Sequence, residues 1–403
     1  MARSVGTVTE IGWRRLALLW LTGMDLRLPL LAIPPVLPII HQQLQLDEKG
    51  VAALSSLPVL LLGLAAVPGS VLIARIGARR ALIAGLCVTG VASGLRGLGP
   101  SAPVLFTMTV LMGIGIAMTQ TTLPALVRQW YPGAITRATG VWSNGLLSGE
   151  LVGAAATLPL MALLGWSWPE VFVVWAAIVL GTAVLVAVGT PHVAAEAGYW
   201  RGSGVPNWRD VRTWQLGLLQ AASSMIYFGT NTFVPDYLHE IGQPGLVAAA
   251  LASLNGAQVP ASLVVGLVPW EVLSRRVVMY VASASIVVAL AAILSGQPLL
   301  IVVAGGMIGF AGAYILVVCF ALPALLAEPA DVARLSAGGF TVSYCVSFTV
   351  NLAAGAAWDA THISASAFLP VLLGAVLAAV LGPKLASRPP TEIRAPLVTP
   401  RLQ

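Results

Sequence analysis

Leu21-Thr22-Gly23-Met24-Asp25-Leu26-Arg27-Leu28-Pro29, continued from Leu30 to Pro38 with further prolines at 34 and 35, sets an acid and an arginine inside an apolar run long enough to cross a bilayer. A charged side chain at the centre of a membrane helix costs roughly 2.5–3.5 kcal/mol on insertion scales, so such residues face a cavity or a partner. The stretch therefore reads as the first span of a polytopic membrane protein, with Arg27 as its first candidate functional residue. Of the 403 residues, 58% are hydrophobic and only 9% are charged, too few charges to coat a soluble globule of this size. The run is too long for a signal-peptide core and lacks a small-residue cleavage pattern, so it is expected to be retained.

Cys87, Cys319 and Cys345 lie in apolar runs without ligand spacing, and His41, His192, His239 and His362 fall at segment ends or in loops. No haem or metal set is expected from them, and no cofactor. The net charge of +6 is explained by membrane orientation, which leaves no case for a nucleic-acid partner.

Apolar runs place twelve membrane helices, near 14–42, 50–74, 80–98, 102–130, 137–164 and 168–189, then near 213–240, 246–269, 276–294, 298–326, 333–359 and 363–383. The fold class is thus an all-α membrane protein. Its expected parts are an N-terminal bundle over 1–189, a linker over 190–212, and a C-terminal bundle with a tail over 213–403. With both termini cytoplasmic, all of the 21 Lys and Arg residues except Lys49, Arg27 and Arg96 fall on the cytoplasmic side, from Arg3, Arg14 and Arg15 to Arg388, Arg394 and Arg401. Trp166, Trp168 and Trp358 at outer ends, and Trp13, Trp130, Trp214 and Trp270 at inner ends, fit interfacial belts.

The two sets of six repeat. Ala52-Ala53-Leu54-Ser55-Ser56-Leu57 returns as Ala249-Ala250-Leu251-Ala252-Ser253-Leu254 at an offset of 197. Leu123-Pro124-Ala125-Leu126 returns at Leu322 with offset 199, and Arg79-Arg80 returns as Arg275-Arg276 with offset 196. The shared register implies two parallel, pseudo-symmetric six-helix halves.

Specific residues add a family resemblance. Leu26-Arg27-Leu28-Pro29-Leu30-Leu31, Ala52-Ala53-Leu54 through Leu57-Pro58-Val59 with Gly63, Gly113-Ile114-Gly115-Ile116 through Gln120 and Pro124, and Gly140-Val141-Trp142-Ser143 resemble the cyanate and nitroimidazole transporter branch of the major facilitator superfamily. In that superfamily the loop between helices 2 and 3 carries Gly, an Asp-Arg pair, Gly and two basic residues. Here Ser70 replaces the first glycine and Ala74 the acid, while Arg75, Gly77, Arg79 and Arg80 are present. The resemblance implies the twelve-helix fold and membrane transport.

On a helix, residues three, four and seven apart share a face. Arg27 then shares one with Gly23, Met24, Leu31 and Pro34, while Asp25 points to a neighbouring helix or to donors freed by the prolines. In the seventh helix Gln220, Ser224, Tyr227 and Asn231 form a polar stripe at steps of four, three and four, as a cavity wall does. At offset 197 Arg27 maps onto Ser224, so both are expected to face one central cavity. Glu150 maps onto Ser347, in the stripe Tyr344, Ser347 and Asn351. It stands thirteen residues after Arg137, as Arg27 stands thirteen after Arg14, so both lie roughly 20 Å from that boundary.

Glu150 and Asp25 are the candidate proton-coupling acids, with a packing role as the alternative for each. Candidate solute contacts are Arg27, Met24, Gln120, Ser224, Tyr227, Asn231, Gln258, Tyr314 and Tyr344, with Tyr314 as an aromatic wall. Amides and hydroxyls of this kind also serve as interhelical glue. Arg96, ahead of Gly99-Pro100, is expected to snorkel to the outer headgroups, or else to draw anions to the outer mouth. Residues and resemblance together lead us to expect a monomeric secondary transporter of the inner membrane. It would move a small anionic or weakly acidic solute, cyanate-like or nitroaromatic, by alternating access, with protons as a further partner. The rival readings are an exporter of neutral or cationic compounds and a transporter-like receptor that binds without flux. No Walker loop and no nucleophile and base pair marks an ATPase or an enzyme.

Overall fold

Pro34 and Pro35 have no N–H to give the carbonyls of Leu30 and Leu31, and the first crossing comes apart ahead of them. A computed structural model describes residues 12–46, 48–97, 101–190 and 204–387, without the side chains at 48, 49, 51–53, 55 and 56. Arg3, Arg201, Arg388, Arg394, Arg401, the linker over 191–203 and the Lys49 side chain lie outside these described residues. The first crossing is not the single helix expected over 14–42. It is built of α1 (Trp13–Asp25), α2 (Leu28–Leu31) and α3 (Ile33–Leu44). The second, α4 (Glu48–Leu64) and α5 (Ala66–Ile76), bends by 45° where Pro68 leaves the Leu64 carbonyl without its partner.

Four unbroken crossings follow: α6 (Ala78–Leu95), α7 (Ala102–Trp130), α8 (Ile135–Leu164) and α9 (Trp168–Gly189). A capping box starts α9, with the Ser167 N–H donating to Glu170 Oε2 at 2.6 Å. The second set comprises α10 (Val211–Glu240), α11 (Val247–Leu267), a short α12 (Trp270–Leu273), α13 (Arg276–Leu294), α14 (Pro298–Leu326), α15 (Val332–Thr361) and α16 (Leu369–Ala386). Among the described residues ten segments are long and apolar enough to cross a membrane, and the bent α4–α5 pair makes an eleventh. The twelfth is α10, whose 30 residues span about 45 Å. Gln215, Gln220, Ser223, Ser224, Thr230 and Asn231 lower its hydropathy.

Packing repeats with the sequence. α1 lies on α8 as α10 lies on α15; α4 meets α7 as α11 meets α14; α6 meets α9 as α13 meets α16. The two sets touch through α8 against α11 and through α4 and α5 against α15. The face that carries Trp13, Arg75, Arg79, Arg80, Arg128, Arg137, Arg275, Arg276 and Arg334 is called the basic face below. On it, Arg79 donates to Thr190 Oγ1 at 2.8 Å and to the Ala187 carbonyl, capping α9 within its own half.

Candidate functional site

Arg27 stands between α1 and α2 at φ −118°, inside the break, and is 5% exposed. Its Nε lies 3.2 Å from Glu150 Oε1 on α8. Its Nη2 donates to the Tyr344 hydroxyl on α15 at 3.3 Å, and Gln120 Nε2 on α7 donates to the same oxygen at 2.8 Å. The Tyr227 hydroxyl on α10 stands beside the Glu150 carboxylate. The ion pair forms because α1 and α8 approach backbone to backbone. A Cβ at Gly23 would strike the Trp142 carbonyl, and one at Gly149 the Met24 carbonyl.

This cluster has donors to spare. Nε of Arg27, though close to Glu150, makes no aligned hydrogen bond, and Nη1 has no partner among the described residues. The Tyr344 oxygen accepts from both Arg27 and Gln120, so its own hydrogen is free to be donated. A buried ion pair offsets the loss of water around both charges only when its geometry is good. This pair is held by proximity more than by aligned bonds, which leaves the guanidinium exchangeable.

Around Arg27, Glu150, Tyr227 and Tyr344 lies a cavity of about 40 Å³, closed further by Leu147, Phe228, Leu254 and Phe320. That is room for about three water molecules. On the side away from the basic face it meets a vestibule of about 600 Å³, apolar except for Thr232, Ser347, Asn351 and Asp359, with Phe228 lining both spaces. Toward the basic face it is shut. Trp142 stacks on Phe320 with ring centres 4.9 Å apart, Phe320 meets Phe340 edge-on at 5.5 Å, and Phe340 lies 6.3 Å from the Tyr344 ring. Two clasps join the halves on the same side. Asn144 Nδ2 donates to the Val259 carbonyl at 2.8 Å and to Ser262 Oγ at 3.0 Å, while its Oδ1 accepts from Trp20 at 2.8 Å. Thr341 Oγ1 donates to the Gly63 carbonyl at 2.8 Å. Asn144 and Thr341 are themselves 197 residues apart.

Of the residues singled out from the sequence, Arg27, Ser224, Tyr227, Gln258, Tyr344 and Glu150 line the cavity. Gln120 reaches it through Tyr344, and Met24 packs by its backbone on Gly149. The stripe on α10 divides: Gln220 donates to the Cys319 carbonyl at 3.4 Å, and Asn231 is bonded to Asn255 and to the Tyr227 carbonyl. Tyr314 lies outside the lining, because its hydroxyl donates to the Leu273 carbonyl at 2.8 Å; Phe320 and Phe228 form the aromatic wall instead. Asp25 faces Thr182 on α9, away from the cavity. Two expectations are corrected. Arg96 does not snorkel, being fully buried against Pro29 and Phe172, and Trp168 is buried with its Nε1 donating to Gln43 at 2.7 Å. The aromatic closure and the clasps escaped the sequence reading; the offset linking Asn144 to Thr341 was the available signal. Among the described residues no three His, Cys, Asp or Glu side chains group as a metal site.

The Major Facilitator Superfamily model matches residues 17–268. The chain is 26% identical over 242 residues to the cyanate transport protein CynX of Escherichia coli (strain K12), covering 59% of this chain and 62% of that one. It is 26% identical over 243 residues to the 2-nitroimidazole transporter of the same organism, covering 57% and 58%. The match thus spans about three fifths of the length of either relative. Among solved structures, FucP in the outward conformation aligns with a TM-score of 0.70 at 12% identity, over 93% of this chain and 99% of that one.

Proposed function

Because the chain belongs to the Major Facilitator Superfamily, it is a multi-pass membrane transporter, and we propose that its cargo is a small anion or weakly acidic solute held by Arg27. The observation that carries this reading is the pair of free donors, Arg27 Nη1 and the Tyr344 hydroxyl, inside a cavity of about 40 Å³. Donors without protein acceptors in a small, enclosed cavity suit a compact anion, since charge-assisted hydrogen bonds are the strongest available there. The names of the two relatives, a cyanate transport protein and a 2-nitroimidazole transporter, agree with a solute of this kind.

Transport follows by alternating access. The vestibule admits solute while the aromatic stack and the two clasps keep the basic face shut. An anion that takes the guanidinium removes the counter-charge of Glu150, and a lone carboxylate in apolar surroundings is neutralised by a proton rather than left charged. Anion and proton then cross together. The larger, apolar vestibule favours a nitroaromatic as the second reading, with the ring beside Phe228 and the nitro group on Arg27.

Proteoliposomes containing the purified protein test the proposal. Radiolabelled cyanate or 2-nitroimidazole is expected to enter, faster under an inward proton gradient, and Arg27→Ala is expected to abolish entry while inserting normally. Binding without entry would identify a receptor, and wild-type uptake by Arg27→Ala would remove Arg27 from the site.

A further inference from the structure

Arg96, at the end of α6, is fully buried. Its Nη2 donates to the Pro29 carbonyl at 3.0 Å and to Ser93 Oγ at 3.1 Å, and its guanidinium carbon sits 4.7 Å from the centre of the Phe172 ring on α9. The Pro29 carbonyl is a gap in the helical ladder. The Ala32 N–H bonds the Leu28 carbonyl at 3.2 Å, and Ile33 then opens a new helix instead of bonding Pro29. Inside a membrane protein such a gap is filled by a neighbouring helix, a side chain or an ordered water. Arg96 fills it from the neighbouring helix.

The turn that Arg96 holds begins at Arg27. The Arg27 carbonyl accepts from the Leu30 and Leu31 N–H groups at 3.1 and 2.8 Å, so the geometry of α2 and the aim of Arg27 are set together. The other half lacks both features. At offset 197 Pro29 corresponds to Ile226 and Arg96 to Ile293, and α10 runs unbroken from Val211 to Glu240. In these two equivalent crossings the break and its cap are both present or both absent. Stability alone does not account for Arg96, because Nε and Nη1 stay without partners among the described residues, and an apolar side chain would be easier to bury.

We propose that Arg96 is a positioning residue for the solute site: by filling the Pro29 carbonyl it fixes the break in the first crossing and so the aim of Arg27. This rests on the reading of Arg27 as the anion anchor. Full-length protein in detergent tests it with Arg96→Met, which removes the donor, and Arg96→Lys, which keeps one. Deuterium exchange of the backbone over 26–33 is expected to quicken about tenfold or more in Arg96→Met and to stay within about threefold of wild type in Arg96→Lys. Segment 223–230 of α10 is expected to be unchanged in both. With sodium cyanate as probe, the Kd is expected to rise about tenfold in Arg96→Met and to recover in Arg96→Lys, with the maximal uptake rate per folded molecule retained.

Wild-type exchange over 26–33 in Arg96→Met, equal loosening of both segments, or an unchanged cyanate Kd would overturn the proposal. If Arg96→Met does not fold, Phe172→Leu keeps the donors but loosens their seat, and a smaller rise confined to 26–33 is expected; no rise there overturns it. Wild-type protein that binds no cyanate counts against the anion reading, while the exchange measurement still decides the role of Arg96.

Discussion

The first crossing and α10 occupy equivalent places in the two halves, yet one is broken with Asp25 and Arg27 at the break and the other is continuous and uncharged from Thr213 to Pro235. Arg27 answers to Ser224, Glu150 on the partner helix to Ser347, and Pro29 to Ile226. Ser224 shares the cavity with Arg27 and bonds Ser343 at 3.0 Å, whereas Ser347 lines the vestibule. One repeated frame thus supplies a cation and its counter-ion from one half, and the phenols of Tyr227 and Tyr344 from the other. The backbone break is what the charged half needs to bring a guanidinium into the cavity, and a proline-rich, membrane-buried break needs a cap such as Arg96.

Making the halves alike should undo function in steps. Arg27→Ser, which copies Ser224, is expected to lower uptake by about a hundredfold or more and to cost about 3–5 kcal/mol of stability by stranding Glu150. Adding Glu150→Ser, which copies Ser347, is expected to recover most of that stability and none of the uptake. Thermal unfolding and uptake of the same preparations read both. Recovery of uptake in the double variant would show that the asymmetry is not what binds the solute.

The clasps sharpen the same comparison with a smaller effect. Loss of one hydrogen bond is worth about 1 kcal/mol, so Thr341→Val is expected to shift the balance toward a state open on the basic face by about fivefold. Asn144→Ala, which removes two bonds between the halves, should shift it further. Thiol labelling of a cysteine introduced at Phe340 from the basic face measures the opening; equal labelling in all variants would show that the clasps do not gate. Least affected is Tyr314→Phe, expected to lose about 1 kcal/mol of stability with its bond to Leu273 and to leave uptake unchanged.

Much of this architecture is legible in the sequence, because span length and internal repeat are strong signals in a chain so apolar. The offset of 197 assigns Arg27 and Ser224 to one cavity, and the equal thirteen-residue spacing from Arg14 and Arg137 gives Arg27 and Glu150 one membrane depth. Less visible was where long side chains end. Tyr314 and Tyr344 have the same composition and similar depth, but a free Leu273 carbonyl draws one hydroxyl away while Gln120 and Arg27 draw the other in. Periodicity also assumes an unbroken helix. The prolines after Arg27 announce a break, but the group that caps it lies 67 residues away on α6, beyond any local pattern. Arg96 therefore looked like an interfacial residue by its position near a segment end.

The exchange of Glu150 for solute on Arg27 is the centre of the account, and calorimetry of cyanate binding in buffers of different ionisation enthalpy tests it most directly. Wild-type protein is expected to take up about one proton for each anion bound, and Glu150→Gln to bind with none. Binding without proton uptake in the wild type, or equal uptake in Glu150→Gln, would contradict it.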